Sequence, residues 1–185
     1  KIGVFIAGSS LNRIKVQVPT NPCPCGYYPD RTRCRCTPAQ IHAYMGRLSK
    51  PLLERIDICA EANPLKADEI VGASEKGESS DEIRKRVERV HEIQKIRFSG
   101  SSVRYNSRMS IKDTEKYCRL DGKTEAFVKK IFARRQLSGR TYHKILKVAR
   151  TIADMDESED IGINHISEAV GLRGIEDKLF GSQGM

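Results

Sequence analysis

The chain has 185 residues, 38% of them apolar and 31% charged, with five Phe, six Tyr and no Trp. At roughly 100–200 residues per domain this holds one domain or two small ones, which makes a complete motor enzyme an unexpected reading. Thirty-three Lys and Arg against 24 Asp and Glu give a net charge of +9, a balance that either solubilises a surface or attracts polyanions such as nucleic acid.

Lys1–Ser10 is briefly apolar, too short for a secretory signal or a membrane helix of roughly 20 residues, so the expected setting is soluble and cytoplasmic. Ile14, Val16 and Val18 then alternate with Lys15 and Gln17, predicting a half-buried strand over 14–18. Pro19-Thr20-Asn21-Pro22 ends it and leaves Asn21 at the strand tip. Cys23–Thr37 reads as a loop. Thr37-Pro38-Ala39-Gln40 follows as an N-cap, a first-turn proline and a capping-box glutamine, opening a helix with Ile41, Tyr44, Met45 and Leu48 on one face. Ser49-Lys50-Pro51 breaks that helix, Leu52–Arg55 makes a further turn, and Ile56, Ile58 and Ala60 alternate as a short second strand over 56–60.

Lys76–Ser80 reads as a linker, and Ser79–Glu82 as a capping box for a helix with Ile83, Val87, Val90 and Ile93 as its apolar face. Ser99-Gly100-Ser101-Ser102 is a second flexible joint. Four helices are then predicted: Ser110–Arg119, Lys123–Leu137 with Phe127, Ile131 and Phe132 inward, Ser138–Asp154, and Asn164–Leu172. The Ser138–Asp154 segment is the cleanest amphipath, with Tyr142, Ile145, Leu146, Ala149, Ile152 and Ala153 inward and Arg140, Lys144, Lys147 and Arg150 largely on the other side. A strand-and-cysteine-loop part, residues 1–75, is thus joined to a helical bundle, residues 76–185, and the fold class is mainly α.

The cysteines carry the sharpest chemistry. Cys23, Cys25, Cys34 and Cys36 offer four thiolates within fourteen residues, enough for a tetrahedral zinc site, although one residue within each pair is a weaker signature than two. Pro24 and Gly26 stiffen and turn the first arm, while Arg31, Arg33 and Arg35 are expected to lower the thiol pKa values. Reduced thiols in a mobile loop and a redox role are the alternatives. A catalytic zinc is disfavoured, since four sulfur ligands leave no open position. Cys59 and Cys118 are isolated and read as small core or surface residues. Charge is concentrated beside the loop, for residues 1–55 carry nine basic and two acidic side chains. Gly122-Lys123-Thr124 imitates the end of a phosphate loop, but Tyr117 stands where the first glycine belongs, so Asp121-Gly122 is expected to start a helix.

Asn21–Tyr28, Cys34–Pro38 and Pro51–Asp57, with Tyr105–Ser110 and Leu137–Asp154 further on, together resemble the C-terminal part of the magnesium-chelatase-like AAA+ proteins of bacteria, the ComM/YifB family associated with competence. The likeness runs from about Ile14 to Leu172. It implies the end of an AAA+ α/β core carrying the cysteine loop, followed by a helical lid. It further implies an ATPase whose phosphate loop and acidic Mg²⁺ motif lie upstream, so this chain is a fragment expected to be inactive alone. ATP and Mg²⁺ are then cofactors of the full-length parent, a homo-oligomeric ring its assembly and DNA its partner, with no membrane. By the same resemblance Asn21 matches the sensor-1 asparagine, Arg55 the arginine finger, and Arg140 the sensor-2 cation that touches the nucleotide. Residues 1–13 depart from the family pattern and read as foreign to it or as a strand lacking partners. The strands over 14–18 and 56–60 are expected to need upstream partners. A magnesium chelatase motor subunit and a stand-alone zinc-stabilised binding module are the competing functions, and the cysteine loop argues against the former.

Overall fold

The apolar run near the N-terminus is the centre of a sheet. In the computed structural model, which describes residues 3–9, 15–17, 21–49, 51, 55–62, 77–135 and 137–173, strand β1 spans Gly3–Ser9, β2 Lys15–Gln17 and β3 Ile58–Ala62. Their order is β2-β1-β3, both pairings are antiparallel, and Phe5 lies opposite Ala60 and Gly8 opposite Val16. This corrects the expectation that the N-terminal segment is a strand lacking partners. It also corrects the expectation that the two later strands lack partners: the N-terminal segment supplies the pairing edge for both. The second strand begins two residues later than its alternation predicts, at Ile58, and Ile56 is buried just before it.

The chain divides into two units, residues 1–72 with 172–185, and residues 73–171. In the first, Thr37 caps helix α1 (Pro38–Met45) with the predicted capping box to Gln40. Ile41 turns inward to join Cys23 and Cys34 in a small core, against which Tyr27, Tyr28, Cys36 and Met45 pack. The outer edge of β3 is tied down where the Cys59 N–H donates to the Leu172 carbonyl at 2.7 Å, and Arg173 donates to the Ile56 carbonyl. Both interactions satisfy groups that an open edge would leave to solvent. The predicted turn at Leu52–Arg55 lies outside the described residues except for Arg55, as does Lys76 at the start of the predicted Lys76–Ser80 linker.

Among the described residues of the second unit the regular elements are all helical: α2 (Ser80–Arg97), a 3₁₀ turn (Asn106–Arg108), α3 (Ile111–Tyr117), α4 (Gly122–Arg135), α5 (Gly139–Met155) and α6 (Ile163–Gly171). Helix α5 is the axis, packing on α2, α3, α6 and the 3₁₀ turn with Ile145, Leu146, Ala149, Ile152 and Ala153 buried. The Asp121 carboxylate accepts from the Thr124 N–H at 2.7 Å, so Gly122-Lys123-Thr124 is a capped helix start, as expected. In α4 the buried positions are Thr124 and Val128, with Phe127, Ile131 and Phe132 half-buried beside them. The Ser99–Ser102 joint is an ordered turn, closed by the Ser101 N–H on the Phe98 carbonyl at 3.0 Å, and its Gly100 has φ +77°, a conformation other residues adopt only with strain.

Two further corrections concern side-chain direction. Ile83 and Val87, expected to face inward, are each 43% exposed, and α2 becomes buried only from Val90 onward. Arg150, expected on the solvent side of α5, is 3% exposed. Its Nε donates to Asp154 at 3.0 Å, and its two terminal nitrogens donate to the carbonyls of Glu159 and Ser158 at 2.6 Å each. The Asp154 carboxylate also accepts from Arg97 (2.7 Å) and from the Asn106 amide (2.8 Å). The Asn106 N–H in turn donates to the buried Gln94 side chain at 3.1 Å. The expected apolar core is therefore threaded by a connected polar network, the arrangement that makes a buried charge tolerable.

Candidate functional site

The loop that brings the four cysteines together begins with a turn that only a flexible backbone closes: the Gly26 N–H donates to the Cys23 carbonyl at 3.0 Å with φ +78°. A second turn, Cys34 N–H to the Asp30 carbonyl at 2.8 Å, returns the chain, and the capped start of α1 anchors it. All four sulfurs lie within 4.8 Å of one another, with Cys23 Sγ 3.3 Å from Cys25 Sγ and 3.8 Å from Cys34 Sγ, and Cys25 Sγ 3.6 Å from Cys34 Sγ. Tetrahedral zinc with Zn–S near 2.3 Å sets its sulfurs about 3.8 Å apart. The donor set and spacing therefore fit one zinc ion.

Electrostatics favour the same reading. Backbone N–H groups of Tyr27, Cys36 and Cys25 reach the sulfurs of Cys25, Cys34 and Cys36 respectively, and the Tyr28 N–H reaches Cys23 Sγ at 3.5 Å. Such donors stabilise thiolates. The Tyr27 N–H, helped by the neighbouring thiols and opposed by partial desolvation, brings Cys25 down to about 6. Cys36 is pushed up to about 12, because burial and the Cys25 and Cys23 sulfurs outweigh the Cys25 N–H, and Cys34 is raised in the same way. Without metal the cluster thus concentrates negative charge on Cys25. A divalent cation removes that like-charge penalty and lets all four ionise.

The expectation that the loop arginines depress the thiols is corrected here, for none of them is among the causes of the Cys25 shift. Arg33 lies over the Tyr27 ring at 4.2 Å and Arg31 over Tyr28 at 5.1 Å. Cys59 and Cys118 are buried core residues, and burial pushes the Cys118 thiol up to about 11.

Asn21 is exposed just ahead of the first cysteine pair, with its side-chain amide beside Gly26, where an added Cβ would sit 3.6 Å from Asn21 Oδ1. Arg55 is exposed and donates to the Pro51 carbonyl at 3.1 Å. Arg140 is exposed in the first turn of α5, after the Ser138 cap that accepts from the Thr141 N–H. Asn21, Arg55 and the cysteines belong to the first unit and Arg140 to the second.

Residues 77–173 match the family described as magnesium chelatase, subunit ChlI C-terminal, and residues 11–70 match magnesium chelatase, subunit ChlI. The chain belongs to the magnesium chelatase ChlI family. The competence protein ComM of Haemophilus influenzae is 37% identical over 161 residues, which cover 87% of this chain and 31% of that protein. Proteins named YifB from Salmonella typhimurium and Escherichia coli are 36% and 34% identical over 168 residues, 90% of this chain and 32% of each. This ChlI-family chain therefore spans about a third of the length of the curated relatives it matches. The ChlI match over 11–70 holds Asn21, the cysteine loop and Arg55, and the ChlI C-terminal match holds Arg140 and the Arg97–Asp154–Arg150 network. No helix among the described residues is long and apolar enough to cross a membrane.

Sequence reasoning missed the tyrosines under the loop arginines and the inward turn of Arg150. A signal for the second existed: Arg150 stands four residues after Leu146 and three before Ala153, inside the helical stripe that those apolar residues define.

Proposed function

We propose that this chain is the C-terminal part of an AAA+ ring ATPase of the ChlI family whose full-length protein is an ATP-driven motor acting on DNA in the cytoplasm. Residues 1–75 end the α/β core and residues 76–185 form its lid. The supporting observation is the four-sulfur cluster, set in a chain matched by the family over both parts and 37% identical to a competence protein.

Cys23, Cys25, Cys34 and Cys36 hold a structural zinc, which supplies a crosslink and no open coordination position. Asn21, whose amide is exposed beside a turn, orients the attacking water. Arg55 reaches a neighbouring subunit's nucleotide, where a guanidinium offsets charge developing on the transferring phosphoryl group. Arg140, exposed in the first turn of a rigid helix, carries phosphate state from lid to core. Each of these roles needs a cation or amide that solvent-side partners can reach, and all three side chains are exposed. The isolated 185-residue chain turns over no nucleotide.

The deciding experiment is the ATPase rate of the full-length protein alone, with single-stranded or branched DNA, and with porphyrin plus Mg²⁺. Stimulation by DNA supports the motor. Stimulation only with porphyrin moves the function to a magnesium chelatase subunit, the second reading, which the family description itself favours. No activity under any condition leaves a zinc-stabilised binding module. In the full-length protein Arg55→Ala is expected to abolish hydrolysis, by roughly 10³-fold or more, with nucleotide binding retained; near wild-type turnover sinks the finger assignment.

A further inference from the structure

We propose that the cysteine loop is a docking surface for single-stranded nucleic acid, with the Arg31–Tyr28, Arg33–Tyr27 and Arg47–Tyr44 stacks as its contact points. The inference rests on the DNA reading above for its polymer and adds the site, the residues and the form of the strand.

Three guanidiniums lie over three tyrosine rings within a short segment, at 5.1, 4.2 and 5.3 Å from ring centroids. Tyr27 and Tyr28 rest against the Cys23–Cys34–Ile41 core, so their rings are held from below, and the exposed arginines form the outer layer. A guanidinium held over a ring loses less freedom on binding than an unrestrained one. Its outer face is open to a base while its edge donors reach phosphate. Between Asn21 and Ser49 the sequence holds four arginines and a single acid, Asp30. That carboxylate is engaged by Thr32, which donates to it from its N–H at 2.9 Å and its hydroxyl at 2.6 Å. Four thiolates on one Zn²⁺ carry −2, so with Asp30 the four arginines leave this segment at about +1, its positive charge lying on the exposed guanidiniums and its negative charge on the sulfur cluster between them.

The stacks select for strand form and against a membrane. In a duplex the base faces are already stacked and only edges are offered in the grooves. The one helix here, α1, has eight residues and no Lys or Arg within it, so nothing basic is built to enter a groove. Unpaired bases present the π-faces that planar guanidiniums and aromatic rings engage. A lipid-binding surface needs exposed apolar side chains to insert, and the exposed large apolar residues among those described all lie in the second unit.

The test uses the full 185-residue chain loaded with zinc, a labelled oligo-dT of about 20 nucleotides, a duplex of the same length, and vesicles of phosphatidylcholine with phosphatidylserine, read by anisotropy and co-sedimentation. The single strand is expected to bind at least tenfold more tightly than the duplex. Arg31→Ala with Arg33→Ala is expected to weaken single-strand binding by about tenfold or more per stack. Arg31→Lys with Arg33→Lys keeps the charge and the salt dependence but loses the preference for single strands. Zinc content is expected to be the same in all variants, because no arginine ligates the metal. Equal affinity for duplex, single-strand binding unmoved by the alanine variants, or vesicle binding lost in the same variants would each overturn the proposal. The full-length protein separates the two readings. If DNA still stimulates its ATPase while Arg31→Ala with Arg33→Ala leaves single-strand affinity unchanged, this surface falls and the motor stands. If neither protein responds to any nucleic acid, both fall.

Discussion

Asp154 is fully buried and accepts hydrogen bonds from two guanidiniums and one amide. Removing it leaves Arg150 and Arg97 facing each other without a counter-charge, so Asp154→Ala is expected to cost about 3–5 kcal/mol in urea unfolding. Asn106→Ala should cost less, about 1–3 kcal/mol, as it strands the acceptor it served. A wild-type midpoint in Asp154→Ala would mean that the network contributes no stability. At the four-cysteine cluster, Cys25 is exposed and its thiol is brought down to about 6, while Cys34 and Cys36 are raised. At pH 7 without metal, Cys25 is a thiolate and those two carry protons. Iodoacetamide should therefore modify Cys25 first in the metal-free chain, and zinc should protect it. Because at least two protons must leave on loading, zinc affinity should rise with pH by about 100-fold or more per unit near neutrality; a chelator competition that is flat in pH refutes this charge distribution. Four cysteines were readable as a ligand set from spacing. Which thiol carries the charge was not, because it depends on backbone N–H groups that only the folded loop aims at the sulfurs.

Helix boundaries were legible where a side chain writes them. Thr37–Gln40, Ser79–Glu82 and Ser110–Asp113 all form capping boxes, two of them with the predicted residues. The caps hold the carboxyls of Glu82, Asp113 and Asp121 below their ordinary range, chiefly through hydrogen bonds from Ser79, Ser110 and Thr124. A depressed folded pKa contributes stability that is fully present above the unfolded value and is lost as pH falls through the folded one. Helical circular dichroism should therefore be level from pH 7 to about 5 and decline below about 4. Ser79→Ala is expected to cost about 1 kcal/mol and to fray the start of α2 specifically, where Ile83 and Val87 are half-exposed and little packing compensates. Amide exchange at Ile83 and Val87 measures that fraying, and unchanged protection would show that the first turns are held by something other than the cap. The N-terminal strand was not legible in this way. Val4-Phe5-Ile6-Ala7 states an apolar preference but not whether a partner exists, and β1 acquires its role only from β2 and from β3, some fifty residues away.

The two units respond to different perturbations. The first has a small core whose buried members include two candidate zinc ligands, Cys23 and Cys34, whereas the second is organised around α5 with aliphatic packing and a polar network. A strong chelator, or Cys23→Ser with Cys25→Ser, should expose the loop to protease while leaving the helical signal of residues 73–171 nearly intact; site energies of about 10–16 kcal/mol in zinc-folded peptides make the local effect large. Unchanged protease resistance would count against a metal. The sequence by itself determined the helices of the second unit, the capped entry to α1, the family and the four-cysteine set, because periodicity, caps and ligand spacing are properties of neighbouring residues. Only the tertiary structure decided that the N-terminal segment is the middle strand, that Arg150 faces inward to Asp154, and that the loop arginines lie on tyrosines instead of against thiols. Those outcomes depend on which distant groups arrive to satisfy a strand edge, a buried charge or a guanidinium face, and no local pattern carries that information.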